Sequence, residues 1–385
     1  MFDYYAPLRI VFGEGAISNI AKLTARNGNR VLLVTGISHL KKSGVLDKIL
    51  SLFSSNKKIE KLIVFDKATT NPDIDTVNEA AQIIKNNNLN IVVAIGGGSS
   101  MDLAKAASIS ARYDRPIWDI ICDNDLYITN ALPVICAPTT SGSGSEVTKY
   151  AVLNNNDKKV KVAISSEAIY PKVSIVDPEL TYTMNQQIAA STGFDTLSHA
   201  IEAYTSNSAS EITDIYCEKV FSIVGEHLKN AIKKDKESMK QMSFAAILGG
   251  LALNIGRASL PHAMEHALSA YKPELAHGVG LSIIMEEFIN RAYSYNESKF
   301  ANIAYLLYRF NECKKESRVA KKLPNIINTL KKEIGLNQRL SDFGFDKDMV
   351  EDMVENTFWT MKHGIENAPG KFSKSDIKDM YIRCL

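Results

Sequence analysis

Apolar residues follow two rhythms along this chain, and the change falls near residues 182–184. In the first half, short β-branched runs recur at 30–35 (RVLLVT), 61–66 (KLIVFD), 90–95 (NIVVAI), 133–137 (PVICA) and 173–177 (VSIVD). Nearly continuous apolar runs of this kind suit parallel strands covered on both faces. Between them lie stretches of helical period, such as 75–86, where Val77, Ala80, Ala81 and Ile84 share one face. Strand and helix in alternation predict a doubly wound α/β domain. After Asp177-Pro178-Glu179-Leu180 the period becomes helical, with segments at 186–205, 209–234, 242–254, 261–271, 278–293, 297–310 and 318–334. The reading is an α/β domain over residues 1–183 and an all-helical domain over 184–385, with a cleft between them where ligand sites often sit.

Composition narrows the class. The 385 residues are too many for one typical core, and 45% apolar with 23% charged residues is ordinary for a soluble globular chain. The net charge of +2 is dispersed apart from short clusters such as Lys233-Lys234, so neither nucleic acid nor a membrane surface is expected as partner. The five cysteines (Cys122, Cys136, Cys217, Cys313, Cys384) form no C-x-x-C pair, which points to a reducing cytoplasm. Met1–Pro7 lacks a basic stretch followed by an apolar one, and no apolar run approaches a membrane span. Cytoplasmic residence is the expectation.

Two loops carry candidate chemistry. The run 90–95 leads into Gly96-Gly97-Gly98-Ser99-Ser100-Met101-Asp102 and then a helix. Glycines at such a turn let backbone N–H groups approach a phosphate, and the helix N-terminus adds partial positive charge. Asp102 reads as a first-turn capping group; the plain alternative is a tight turn that uses glycine for positive φ. A second loop, Pro138-Thr139-Thr140-Ser141-Gly142-Ser143-Gly144-Ser145-Glu146, offers five hydroxyls and two glycines, also after a strand. Two such loops in one α/β domain favour a nucleotide, so the first half reads as a dinucleotide-binding domain. The run 30–35 ends in Thr35-Gly36-Ile37-Ser38, with Lys41 and Lys42 nearby and no carboxylate. Gly36 supplies room and Ser38 a donor for a 2′-phosphate, so NADP(H) is expected ahead of NAD(H).

Four of the seven histidines lie at 199, 262, 266 and 277, in the helical half. Asp195 and His199 stand i, i+4, and so do His262 and His266, behind a Pro261 suited to start a helix. Asp195, His199, His262 and His277 together read as a divalent-metal site in an all-helical metal domain. Oxygen and nitrogen ligands without thiolate admit Fe²⁺, Zn²⁺, Co²⁺ or Mn²⁺. His39, His227 and His363 read as structural.

These motifs together make the chain resemble the iron-containing (group III) alcohol dehydrogenases. The likeness runs through Ala6-Pro7, Ile10–Gly15, Asn71-Pro72, Gly96–Lys105, Pro138–Glu146, Tyr170-Pro171-Lys172, Asp177–Leu180, Gly193–Ala203 (GFDTLSHAIEA) and Met264–Gly278 (MEHALSAYKPELAHG). The resemblance implies the dehydroquinate synthase-like two-domain architecture and a homodimer. It also implies hydride transfer between NADP(H) and a small primary alcohol or aldehyde, at a metal that is Fe²⁺ or alternatively Zn²⁺. It implies that Asp195, His199, His262 and His277 are the ligands and that His266 is a proton relay. Gly97, Gly98, Ser99, Asp102, Thr139, Thr140 and Ser143 match the family's cofactor loops, with Asn71 and Lys161 as further cofactor contacts. Many members carry Asp where Gly36 stands, and its absence is similar to the NADP-using branch. The interval from His266 to His277 is a residue longer than in many members. The alternatives are an NAD-dependent polyol (glycerol- or propanediol-type) dehydrogenase on the same fold and a dehydroquinate-synthase-like lyase.

Overall fold

All five β-branched runs form strands, and alternate residues along them serve opposite faces of one sheet. Leu32 and Val34 pack into a core on one face and Val31 and Leu33 into a core on the other, which is why these runs carry no polar alternation. The structure, a computed structural model, describes residues 2–308 and 316–385, the side chain of His39 excepted. Its strands are β1 (Arg9–Phe12), β2 (Arg30–Gly36), β3 (Lys61–Ala68), β4 (Ile91–Gly96), β5 (Val134–Pro138), β6 (Tyr150–Asn155), β7 (Val160–Ser165) and β8 (Val173–Val176). Six of them form a parallel sheet in the order β1-β8-β5-β4-β2-β3, and β6 and β7 form a separate antiparallel hairpin. The chain steps outward from β2 to β3 and then crosses to the other side with β4. The carboxyl ends of β2 and β4 therefore flank the switch point where α/β sheets bind ligands.

The helices of ten or more residues are α1 (Val45–Ser54), α2 (Ile74–Asn86), α3 (Gly98–Tyr113), α4 (Gln186–Thr205), α5 (Glu211–Ile232), α6 (Lys236–Gly256), α7 (Leu260–Tyr271), α8 (His277–Ala292), α9 (Glu297–Tyr308), α10 (Leu323–Glu333), α11 (Val350–Asn367) and α12 (Lys374–Cys384). In α2 the four residues expected on one face are the four that are buried. The last strand ends at Val176 and the first long helix of the second half starts at Gln186, where Asn185 accepts from the Ile188 N–H at 2.8 Å. From Met184 onward one continuous apolar core joins the helices.

Three expectations need correction. Strand β1 went unread because it is four residues long and lies at the sheet edge with Ile10 and Phe12 exposed. The β6–β7 hairpin also went unread, since Asn154-Asn155-Asn156 looks like loop composition. Asn154 and Asn155 are in fact buried strand residues paired with Lys161 and Val160. Helix α6 begins six residues before the expected 242, at Lys236, N-capped by Asp235. Residues 309–310 of the expected segment 297–310, and Cys313, lie outside the described residues.

Candidate metal centre and cofactor cleft

Helix α4 carries Asp195 and His199 one turn apart, α7 carries His262, and His277 is the first residue of α8. These four side chains converge: one ligand atom from each lies within 4.8 Å of all the others. Asp195 Oδ1 stands 3.4 Å from His199 Nε2, 3.7 Å from His277 Nε2 and 3.9 Å from His262 Nε2. The His199 and His262 rings stack at 4.7 Å between centroids. Asp195 Oδ1 and His262 Nε2 are buried without a hydrogen-bond partner, a costly state for two polar atoms that face the same point. One carboxylate and three imidazole nitrogens fit a divalent transition ion.

The ring nitrogens turned away from this point are held by two carboxylates that the sequence reading did not single out. Glu202, on α4, accepts from His262 Nδ1 at 2.5 Å and from the Ser259 N–H at 2.6 Å, which also caps the start of α7. An ionised carboxylate only accepts, so the Nδ1–H donates and Nε2 presents its lone pair to the site. Burial alone would pull His262 down, but Glu202 raises it, which makes the ring a stronger donor. Glu265, on α7, accepts from His277 Nδ1 and from Ser269 Oγ. Burial would lift the Glu265 carboxyl, but His277, Lys161 and His266 outweigh it and hold it below the ordinary range. Burial pulls His199 to about 4, which leaves a neutral ring with a free lone pair. Both carboxylates sit inside quoted motifs, three residues after His199 and next to His266. An acid at such a spacing on an amphipathic helix ordinarily reads as surface.

His266 is buried near the cluster, its ring 6.2 Å from that of His277, with Nδ1 lacking a partner. Burial and then the Lys161 charge keep it neutral. His227 bonds Ser238 at 3.2 Å, away from the cluster.

The two cofactor loops meet at the switch point. Gly97 is the N-cap of α3, and no glycine from Gly96 to Gly98 has positive φ, so the tight-turn alternative fails. What requires glycine here is close approach. A Cβ on Gly98 would lie 2.7 Å from Ser143 Oγ, and one on Gly97 would lie 3.4 Å from Thr140 Oγ1. The Thr139 N–H donates to the Gly96 carbonyl at 2.9 Å and locks the loops together. Gly97, Gly98, Ser99, Thr140 and Ser143 are all half-buried beside the first turn of α3, whose N–H groups lack helical partners. Gly36 ends β2 next door, with its backbone nitrogen 3.9 Å from the Cβ position of Gly96. Ser38 is exposed beyond it.

Three expected cofactor residues are instead committed to the protein itself. Asp102 lies beyond the first turn of α3 and caps nothing; its carboxylate accepts from Ser145 Oγ at 2.6 Å and the Val152 N–H at 3.1 Å. The Asn71 amide, in a left-handed conformation at φ 51°, donates to the Pro273 carbonyl at 2.9 Å. Lys161 Nζ lies 3.1 Å from Glu265 Oε2 and 3.3 Å from His277 Nδ1, so it belongs to the surround of the metal ligands. A carboxylate also stands beside the end of β2 after all: Asp66, on the adjacent β3, pairs with Lys41.

Lys105, which the sequence reading did not single out, is fully buried under the second loop. Its ammonium donates to the carbonyls of Ser145 (2.6 Å), Thr148 (3.0 Å) and Tyr150 (2.8 Å) and to Ser145 Oγ (2.8 Å).

Residues 7–178 match the family model described as iron-containing alcohol dehydrogenase, and residues 189–385 match its C-terminal domain. The NADH-dependent butanol dehydrogenase A of Clostridium acetobutylicum is 30% identical over 381 residues, covering 96% of this chain and 94% of that protein. The 1,3-propanediol dehydrogenase of Klebsiella pneumoniae is 32% identical, covering 89% of each. An archaeal halo-thermophilic alcohol dehydrogenase from a Red Sea brine pool has a solved structure that superposes with a TM-score of 0.95 at 31% identity, covering 100% of this chain and 99% of that one.

Proposed function

The chain belongs to the iron-containing alcohol dehydrogenase family and is an oxidoreductase acting on CH–OH donors, and from that premise we propose how its own residues divide the work. Asp195, His199, His262 and His277 hold the divalent metal, Fe²⁺ first and Zn²⁺ as the alternative. The observation that carries this reading is the convergence of their four ligand atoms, with Glu202 and Glu265 fixing two of the rings from behind. When bound, the metal supplies Lewis acidity at the substrate oxygen, and the pyridine nucleotide supplies or accepts hydride. Gly97, Gly98 and Ser99 at the start of α3, with Thr140 and Ser143 of the second loop, would hold the pyrophosphate. His266, neutral and with Nδ1 free, receives and passes on the proton at that atom.

The coenzyme is NADP(H), accommodated at Gly36 and Ser38, with Lys41 as the cation within reach. The substrate is a small aldehyde or primary alcohol, and the family matches favour this over the lyase. A cytoplasmic homodimer completes the proposal: the four described cysteines are free, and β1 leaves Ile10 and Phe12 exposed at a sheet edge. Sedimentation as a monomer, or recovery outside the cytoplasmic fraction, would remove that part.

The experiment is anaerobic reconstitution with Fe²⁺ or Zn²⁺, followed by metal analysis and NADPH and NADH oxidation with short aldehydes. His277→Ala should lose metal and turnover together, whereas His266→Gln should keep its metal and lose turnover. Full activity of His277→Ala without bound metal would end the proposal.

A further inference from the structure

Arg257 occupies a backbone conformation that suits glycine. It follows the last residue of α6 with φ 57° and ψ 164°, a region that side chains with a Cβ rarely enter. The conformation is imposed. The Arg257 N–H still donates to Leu253, and the Asn367 amide bridges the carbonyls on either side of it, Gly256 at 2.8 Å and Ala258 at 3.2 Å. The chain must turn sharply here, because α6 and α7 meet at 105°. Glycine would make that turn without steric cost, so the turn alone does not account for an arginine.

The place explains what the side chain is for. Asn254, three residues earlier, bonds the carbonyl of Val147, the residue that follows the second cofactor loop, at 3.0 Å. Ser259, two residues later, is held by the Glu202 carboxylate that also orients the ligand His262. Arg257 thus stands between the cofactor loop and the metal ligands. Its side chain is exposed, and among the described residues it has no hydrogen bond or ion pair. Its charge reaches two groups, the Tyr150 phenol at the start of β6 and the His363 imidazole on α11, one from each half of the molecule. Neither offers it a carboxylate.

We propose that Arg257 is a specificity-determining residue that binds an anionic group at the far end of the substrate. The preferred substrates are then short aldehydes that carry a carboxylate or sulfonate, and the corresponding hydroxy acids. The planar guanidinium can grip either anion through two parallel N–H donors while the aldehyde end sits at the metal ligands. This rests on the dehydrogenase reading above and adds the substrate class to it.

The test compares butanal with 4-oxobutanoate, in which a carboxylate replaces the terminal methyl, and with 3-oxopropanesulfonate, using the metal-reconstituted enzyme. Wild type should prefer the anionic aldehydes in kcat/KM. Arg257→Met should lower kcat/KM for both anions by about tenfold to a hundredfold, mainly through KM, while changing butanal less than about threefold. Arg257→Lys should recover only part of the loss, because it keeps the charge without the fork. Calorimetric titration of 4-hydroxybutanoate should give binding to wild type that Arg257→Met loses. Arg257→Gly should share the kinetic loss yet show a Tm higher by about 2 °C, because its backbone is relieved. Equal loss on butanal and the anions, or a KM effect confined to the nucleotide, would overturn the proposal. Absence of turnover on every aldehyde would instead sink the dehydrogenase reading, and this assignment with it.

Discussion

At the scale of single residues, the site depends on groups that never touch substrate. Glu202 and Glu265 decide which nitrogen of His262 and His277 faces the cluster, and Lys161 neutralises the second of these carboxylates. The coenzyme end depends in the same way on a neighbour. Lys41 is the cation proposed above for a 2′-phosphate, and Asp66 pairs with it. Because that pair is largely exposed, it is worth roughly 1 kcal/mol or less. Asp66→Asn should therefore raise the ratio of kcat/KM for NADPH over NADH by about threefold to fivefold. An unchanged ratio would mean that Lys41 does not meet the phosphate. In the sequence, Asp195 and His199 were legible because i, i+4 spacing survives as a local pattern, as was His262 from its spacing to His266, and His277 because it stands in a motif that carries the family resemblance. Asp66 was not, since it enters from the next strand, twenty-five residues away in the pairing with Lys41.

At the scale of elements, the glycine-rich loop works by letting another loop come close. A methyl group on Gly98 would collide with Ser143, so Gly98→Ala should push the second loop away and weaken nucleotide binding by about tenfold or more. Removing the obstructing side chain altogether in Gly98→Ala/Ser143→Gly should restore part of that affinity, read as Kd by nucleotide fluorescence. If the double variant binds no better than Gly98→Ala, the contact is not the reason for glycine. The same scale shows where reading a sequence succeeds. Central strands β2, β4 and β5 stand out because both their faces are buried, and α2 and α4 because their periods are long. The edge strand β1 and the hairpin β6–β7 are short and partly polar. Their strand character comes from partners distant in the chain, and periodicity does not record this.

At the scale of the whole molecule, a seam of buried ionisable groups under the second cofactor loop ties stability to pH. Asp102, Lys105, Cys136 and Glu146 lie together there; burial pushes Lys105 down and Asp102 up, each partly offset by the other. Burial also lifts the Glu146 carboxyl from its ordinary 4.5 to about 7 and the Cys136 thiol to about 12. A carboxyl raised on folding binds its proton more tightly in the folded state. Its stabilisation is complete below about pH 4.5 and is lost as pH climbs through 7. For Glu146 this is on the order of 3 kcal/mol. Denaturation midpoints followed from pH 5 to 8 should fall for the wild-type chain relative to those of Glu146→Gln, which lacks this contribution. Parallel curves for the two proteins would contradict this assignment.

Two of the ties that cross between the halves bear on how the molecule could be divided. Asn71 grips Pro273 and Lys161 grips Glu265, and the stretch they steady ends in His277. The helices therefore do not own their ion site outright. Severed from the strand-rich half, they would keep three of its donors on helices α4 and α7 and hold the fourth, at the head of α8, through Glu265 alone.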